Sequence, residues 1–237
     1  MTIPPFHWWR TVFFLIPAIG VYTIVLGTIS LLSTLVDRRG YTAHGCARIW
    51  ARLILITTGV RVTRQGELPP VGTSYVFASN HQSIYDIPVI LWTLPNQLRI
   101  IAKASLGSFP FLGWHLRLSG HLLVDRENPG ASVFKKMQRM IGQGASLIIF
   151  PEGTRSRDGK VGRFKGGVFL LAIESGLPIV PISVSGTRHV MLKGRLMTCP
   201  GDVTLTVHAP ISTAGMTREN ARSLAAQVQA VVSEAAS

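Results

Sequence analysis

The sequence predicts an α/β domain whose mostly parallel sheet of about seven strands is flanked by helices and preceded by N-terminal membrane-associated helices. Three observations predict it. Short β-branched or apolar runs recur from residue 60 onward, separated by helix-length segments, and strands alternating with helices build parallel sheets. Leu147-Ile148-Ile149-Phe150 is continuously apolar, as a strand covered on both faces requires. Residues 11–36 carry no Lys, Arg, Asp, Glu or His over 26 positions.

That charge-free run comes first. As a helix it reaches roughly 39 Å, enough to cross a hydrocarbon core of about 30 Å. Trp8 and Trp9 precede it as interfacial anchors do, and nothing resembling a small-x-small cleavage site follows Val36. Pro17, Gly20 and Gly27 interrupt it, so one bent span and a re-entrant hairpin in one leaflet both fit. Residues 1–40 are therefore expected to be a membrane segment. Arg38, Arg39, Arg48, Arg52, Arg61 and Arg64 follow the run, whereas Arg10 alone precedes it. That bias expects residues 38 onward on the cytoplasmic side of the membrane. A reducing cytoplasm suits two unpaired cysteines, Cys46 and Cys199.

Residues 41–59 read as an amphipathic helix ending at Gly59. His44, Arg48 and Arg52 form one stripe, and Cys46, Trp50 and Leu53 another. Such a helix lies in a membrane interface, or packs on the domain with a solvated basic face. Residues 60–237 form the α/β domain. Its strands are expected near 60–62, 74–78, 98–102, 121–124, 146–150, 179–184 and 203–207. Its helices are expected near 84–93, 110–117, 131–142, 166–175 and 217–235.

Composition narrows the function. The 237 residues are 47% apolar, with 24 Lys+Arg against 11 Asp+Glu, a formal net charge of +13. This excludes a disordered chain and a disulfide scaffold. A chain both apolar and basic fits an anionic membrane or nucleic acid. A G-x-S-x-G elbow, a Walker A loop, H-E-x-x-H and G-x-G-x-x-G are all absent, and no Cys/His cluster has metal-ligand spacing. No metal is expected.

The chemistry sits at two strand ends. After the second strand comes Asn80-His81-Gln82-Ser83-Ile84-Tyr85-Asp86. Ser83 and Asp86 have capping-box spacing, with Ser83 as N-cap and Asp86 at N3. Helical side chains lean toward the N-terminus, so the Asp86 carboxylate points back at His81. A carboxylate on one imidazole nitrogen fixes the tautomer and makes the other more basic. This is two-thirds of a Ser-His-Asp arrangement, with a substrate hydroxyl as the missing nucleophile. Alone, a pattern this short is more often that of a helix cap beside a polar loop histidine. After the fifth strand comes Phe150-Pro151-Glu152-Gly153-Thr154-Arg155-Ser156, followed by Arg157, Lys160, Arg163 and Lys165 among Gly159, Gly162, Gly166 and Gly167. Ligands of open parallel sheets bind beyond strand carboxyl ends, so the two segments can converge. Arg155 offers a fork suited to phosphate. The remaining histidines His115, His121, His189 and His208 read as surface or core residues.

Together these segments resemble the glycerolipid acyltransferases, most closely the bacterial 1-acyl-sn-glycerol-3-phosphate acyltransferases. Lys103-Ala104-Ser105-Leu106 through Pro110-Phe111-Leu112-Gly113-Trp114 is similar to that family's second block, and Leu177-Pro178-Ile179-Val180-Pro181-Ile182 to its fourth. Gly120 to Arg126 and Phe164-Lys165-Gly166-Gly167 are also similar. The likeness covers roughly residues 40–210, with all four blocks in order. It implies acyl transfer from acyl-CoA or acyl carrier protein to the free hydroxyl of lysophosphatidic acid, with no cofactor. His81 would be the general base and Asp86 its orienting partner. Arg155 would bind the acceptor phosphate and Glu152 the glycerol part. Gly153 and Thr154 would shape the loop. Lys103 would bind phosphate or stabilise the oxyanion. Phe109 to Trp114 would line an acyl tunnel or the core. Another lyso-lipid acceptor, such as a lyso-ornithine lipid, is the alternative within the family. A membrane-tethered nucleic-acid binder is the distant one, but the sequence shows no basic stripe with interleaved aromatics, so no nucleic acid is expected.

Overall fold

A computed structural model describes residues 5–37, 39–108, 121–124 and 131–236, with the side chains of 102, 103, 106 and 131–134 excepted. The expected helix at 110–117, the Pro110–Trp114 block, His115, and Gly120, Asp125 and Arg126 of the Gly120–Arg126 stretch lie outside the described residues.

Helix α1 runs from Phe6 to Ser33 with one wider turn at Thr11–Leu15. It is apolar all round, and its outward side chains include Phe13, Phe14, Val21, Ile24 and Leu32. Helix α2, Tyr41–Thr58, folds back along it. Tyr22 Oη meets Thr57 Oγ1 at 3.1 Å, and Trp50 Nε1 donates to Thr23 Oγ1 at 3.0 Å. Both ends of α1 are tied to the body of the protein. Thr11 Oγ1 accepts the Thr198 N–H at 2.8 Å. Beyond the other end, buried Arg99 donates to the Arg39 and Gly40 carbonyls. The α1–α2 pair thus lies along the domain rather than projecting from it.

The strands are β1 (Val60–Gln65), β2 (Val76–Ser79), β3 (Leu98–Lys103), β4 (Leu122–Val124), β5 (Ser146–Ile149), β6 (Ile179–Ser185) and β7 (Gly201–Val207). They form one seven-stranded sheet in the order β1-β7-β6-β2-β5-β3-β4. β6, β2, β5, β3 and β4 are mutually parallel; β7 pairs antiparallel to β6, and β1 runs parallel to β7. The helices after α2 are α3 (Asp86–Thr93), α4 (Ala131–Gly142), α5 (Gly166–Glu174), the single turn α6 (Thr187–Val190) and α7 (Ala221–Ala235).

Alternation along each strand builds two cores, one on each face. Val76, Ala78, Leu147 and Ile149 pack against Met137 of α4, Phe169 of α5 and Val228 of α7. Phe77, Ile148, Val180 and Ile182 pack against Ala51 and Leu55 of α2 and Val89 and Ile90 of α3. Helix α2 therefore packs on the domain. Of its basic stripe only the His44 end is buried; Arg48 is half-buried and Arg52 remains exposed. His44 is buried, and Arg48 and Arg52 flank the Trp92 ring at 5.9 and 5.2 Å.

Helix α3 starts two residues later than its apolar pattern suggests, because the capping box is only half formed. Asp86 reaches back to the Ser83 N–H at 3.0 Å, but the Ser83 hydroxyl donates to the distant Met191 carbonyl at 2.8 Å. Tyr85, not Ser83, is the N-cap, and Asp86 opens the helix rather than standing at N3.

Candidate active site

The strand order brings the carboxyl ends of β6, β2, β5 and β3 side by side. Thr187 follows β6, Asn80 and His81 follow β2, Glu152 to Arg155 follow β5, and Lys103 ends β3. The Lys103 side chain lies outside the described residues.

Asn80 locks β2 to β6. Its side chain donates to the Val184 carbonyl and accepts the Val184 N–H, both at 2.8 Å. His81 then leaves the sheet edge with its main chain held on both sides. Its N–H donates to Glu152 Oε1 at 2.7 Å, and its carbonyl accepts the Ser156 N–H at 2.8 Å. The histidine segment and the Glu152–Ser156 segment are thus one interlocked unit. The ring stacks on Phe150, 4.2 Å between centroids. Its Nδ1 lies 2.7 Å from Asp86 Oδ2.

Asp86 is 0% exposed, and every described neighbour of its carboxylate is a donor. Oδ2 accepts the Gln82 N–H at 2.8 Å as well as that of Ser83; Oδ1 accepts the Thr187 hydroxyl at 2.5 Å. A buried carboxylate held by main-chain amides cannot rotate, so it fixes the imidazole plane and keeps a proton on Nδ1. The His81 side chain retains 17% exposure, and Nε2 is left as the nitrogen that can take a proton.

Glu152 is buried between two loops. Oε2 accepts the Gly162 N–H at 3.0 Å while Oε1 holds His81. A Cβ at Gly162 would stand 2.9 Å from Oε2, so glycine is what lets this amide approach. Burial pushes the Glu152 carboxyl above the usual carboxylate range, opposed by the two amides. Glu152, Thr154 and Arg155 line one cleft of about 360 Å³ with Arg157, Lys160 and Arg163. Gly153, in the left-handed region at φ 80°, turns the chain there. Neither His81 nor Asp86 lines that cleft: His81 meets it through its main-chain bond to Glu152 and the Ser156 N–H, and Asp86 is buried behind the imidazole.

Two residues of this unit carry no sequence signal of their own. Thr187 follows Gly186, where φ is 87° and a Cβ would meet the Asp202 carbonyl at 2.3 Å; glycine alone permits the turn that aims Thr187 at Asp86. Its position just past a third strand end was the available clue. Lys193 Nζ donates to Thr154 Oγ1 at 2.8 Å and to the Arg155 carbonyl at 2.7 Å, clasping the loop that presents Arg155. Among the other histidines, His121 Nδ1 accepts the Ile100 N–H and His208 bonds Ser183, both structural roles. Among the described residues no His/Cys/Asp/Glu group could hold a metal ion.

Comparison with known proteins gives a consistent result. The acyltransferase family model matches residues 59–185. The chloroplastic 1-acyl-sn-glycerol-3-phosphate acyltransferase BAT2 of Brassica napus is 36% identical over 197 residues, 80% of this chain and 57% of that protein. The 1-acyl-sn-glycerol-3-phosphate acyltransferase of Saccharomyces cerevisiae is 31% identical, covering 89% of this chain and 70% of its own. The crystal structure of the 1-acyl-sn-glycerophosphate (LPA) acyltransferase PlsC from Thermotoga maritima superposes with a TM-score of 0.80 at 27% identity, covering 97% of this chain and 96% of that one. The chain spans about half the length of the first curated relatives it matches.

Proposed function

The chain belongs to the acyltransferase family, and we propose that it moves a fatty acyl group from acyl-CoA or acyl carrier protein to the free sn-2 hydroxyl of 1-acyl-glycerol-3-phosphate, giving phosphatidic acid. The observation that carries this reading is the His81–Asp86 pair, clamped by Glu152 and Ser156 beside the Arg155 cleft.

His81 Nε2 takes the proton of the acceptor hydroxyl as its oxygen attacks the thioester carbonyl. The new C–O bond forms, the C–S bond breaks, and the imidazolium returns its proton to the departing thiolate. No acyl-enzyme is needed, and the steps as written consume no cofactor. Asp86 holds the ring and stabilises the transient imidazolium. Arg155 binds the acceptor phosphate bidentately. The reaction takes place at a membrane surface. The α1–α2 pair, with its outward apolar side chains, would sit in the cytoplasmic leaflet of a bacterial inner membrane and bring the lipid acceptor to the site.

The test is phosphatidic acid formation from lysophosphatidic acid and acyl donor in vesicles, with wild type and His81→Ala. Loss of 10³-fold or more in kcat is expected for the variant, at the upper end of general-base contributions. Wild-type activity in the variant refutes the mechanism. Equal wild-type rates on lyso-acceptors without a phosphomonoester, a lyso-ornithine lipid among them, refute the acceptor assignment.

A further inference from the structure

The chain that returns from β6 grips the Glu152–Ser156 loop from outside. Lys193 lies three residues past α6, and its main chain is fixed on both sides. The Ser83 hydroxyl donates to the Met191 carbonyl at 2.8 Å, and the Arg195 N–H closes a turn on the Leu192 carbonyl at 3.1 Å. Gly194 turns the chain in the left-handed region at φ 81°. From this base the half-buried Lys193 side chain sends its ammonium to Thr154 Oγ1 at 2.8 Å and to the Arg155 carbonyl at 2.7 Å. The Thr154 hydroxyl donates to that same carbonyl at 3.1 Å, which closes a three-cornered ring. Among the described residues no carboxylate pairs with Lys193. Its charge is therefore directed at neutral loop oxygens, and such charge-assisted bonds are stronger than neutral ones.

The Arg155 carbonyl belongs to the peptide unit that joins Arg155 to Ser156, and a peptide unit is a rigid plane. Its other end is held as well, because the Ser156 N–H donates to the His81 carbonyl at 2.8 Å. One plane is thus gripped at its oxygen by Lys193 and Thr154 and at its nitrogen by His81. That plane sets ψ of Arg155, and with it the direction in which the guanidinium leaves the main chain. It also ties that direction to the position of His81. A second clasp lies two residues on, where Arg188 of α6 donates to the Arg157 carbonyl at 3.0 Å. Lys193 does not itself line the Arg155 cleft.

We propose that Lys193 is a positioning residue for acceptor recognition, which aims the Arg155 guanidinium at the acceptor phosphate by fixing the Arg155–Ser156 peptide. The inference rests on the reading of Arg155 as the phosphate-binding residue of an acyltransferase. A guanidinium fork meets a phosphate in a narrow range of orientations, so rocking about ψ of Arg155 spoils the bidentate contact. His81 keeps its own supports, Glu152 on its N–H and Asp86 on its ring, when Lys193 is removed. Loss of the clasp therefore weakens acceptor binding more than the chemical step. The returning segment braces the two halves of the site separately, with Thr187 on Asp86 and Lys193 on Arg155.

The experiment uses the full chain in detergent with Lys193→Met, which keeps the side-chain length and removes the donors; Lys193→Gln serves the same comparison if the first variant does not fold. KM for lysophosphatidic acid should rise about tenfold, as for loss of a hydrogen bond from a charged group, while kcat falls less than about threefold. Lys193→Arg, which keeps charge and donors, should bring KM back to within about threefold of wild type. A double-mutant cycle separates positioning from direct contact. Arg155→Ala alone should raise KM at least as much, and adding Lys193→Met should then change it less than about twofold, because the two residues act as one. Multiplying effects would make Lys193 a phosphate ligand in its own right and overturn the proposal. An unchanged KM in Lys193→Met, or a fall in kcat at unchanged KM, overturns it too. Calorimetry with glycerol 3-phosphate in a His81→Ala background reads the clasp without turnover, and binding should weaken about tenfold with Lys193→Met. If that weakening is seen while no donor yields phosphatidic acid, the acyl-transfer reading fails and the clasp stands. If Arg155→Ala leaves both KM and glycerol 3-phosphate binding unchanged, the phosphate role of Arg155 fails and the proposal falls with it.

Discussion

The Glu152 carboxylate accepts the main-chain N–H of His81 at 2.7 Å, and its second oxygen accepts that of Gly162 at 3.0 Å. Both oxygens therefore serve the loops that frame the site. Family resemblance assigns Glu152 to the acceptor's glycerol; we propose that it also positions the histidine. Glu152→Gln leaves one amide facing an NH2 group, which costs about 1–3 kcal/mol for the unmatched donor. Steady-state kinetics should show kcat reduced about 10- to 100-fold, since a displaced catalytic group loses that much. KM for the acceptor should change less than threefold. A large rise in acceptor KM at unchanged kcat would instead restore the glycerol role.

Thr187 is the partner of Asp86 that no motif announces. Removing its hydroxyl with Thr187→Val keeps shape but frees Oδ1 in a fully buried setting. The carboxylate then loses one of the donors that hold it, and the imidazole loses a fixed partner. The kcat should fall about tenfold while KM for the acceptor changes less than twofold. Thr187→Ser should restore kcat. An unchanged kcat in Thr187→Val would reduce Thr187 to a packing role.

Local pattern carried much of this. Strand–helix alternation gives the sheet, and the H-x-x-x-x-D spacing brings His81 onto Asp86, because a side chain at a helix start leans back toward the entering chain. What local pattern cannot carry is direction and distance. Nothing within Gly201–Val207 says that β7 opposes β6, since that depends on the long path from α6. The Ser83 hydroxyl bonds Met191, 108 positions away, so α3 starts later than its capping box predicts. Thr187 and Lys193 reach the site through the same return of the chain. His44 on α2 likewise reads as part of a solvated stripe, although the fold buries it near Arg99.

His44 gives that stripe a pH signature. Burial first, then the charges of Arg99 and Arg48, push its imidazole down to about 4. In the unfolded chain it titrates near 6.5. Between these values the unfolded state binds a proton that the folded state does not. Stability is therefore full above about pH 6.5 and falls as pH drops toward 4. At pH 5 the loss is about 2 kcal/mol. Thermal melts in detergent should show wild type losing several degrees between pH 7.5 and pH 5, with His44→Leu losing markedly less. Equal losses in the two proteins would show that His44 is not responsible.

The disposition of α1 leads to a labelling prediction. A spanning helix places its ends on opposite sides of the bilayer. Here Thr11 near one end bonds Thr198, and the Arg39–Gly40 turn past the other bonds Arg99, so both ends stay with the catalytic domain. We therefore propose that the apolar face of Phe14, Val21, Ile24 and Leu32 enters a single leaflet. Phe6 and Leu35 flank the helix at 74% and 79% exposure, which makes Phe6→Cys and Leu35→Cys accessible reporters. A membrane-impermeant maleimide added to inside-out vesicles should label both, and added to right-side-out vesicles it should label neither. With Cys46→Ser/Cys199→Ser as background, label at the two positions is read without interference. Labelling from opposite sides would establish a true span. The Thr11–Thr198 bond could not then coexist with insertion, because Thr198 belongs to the domain that stays in water.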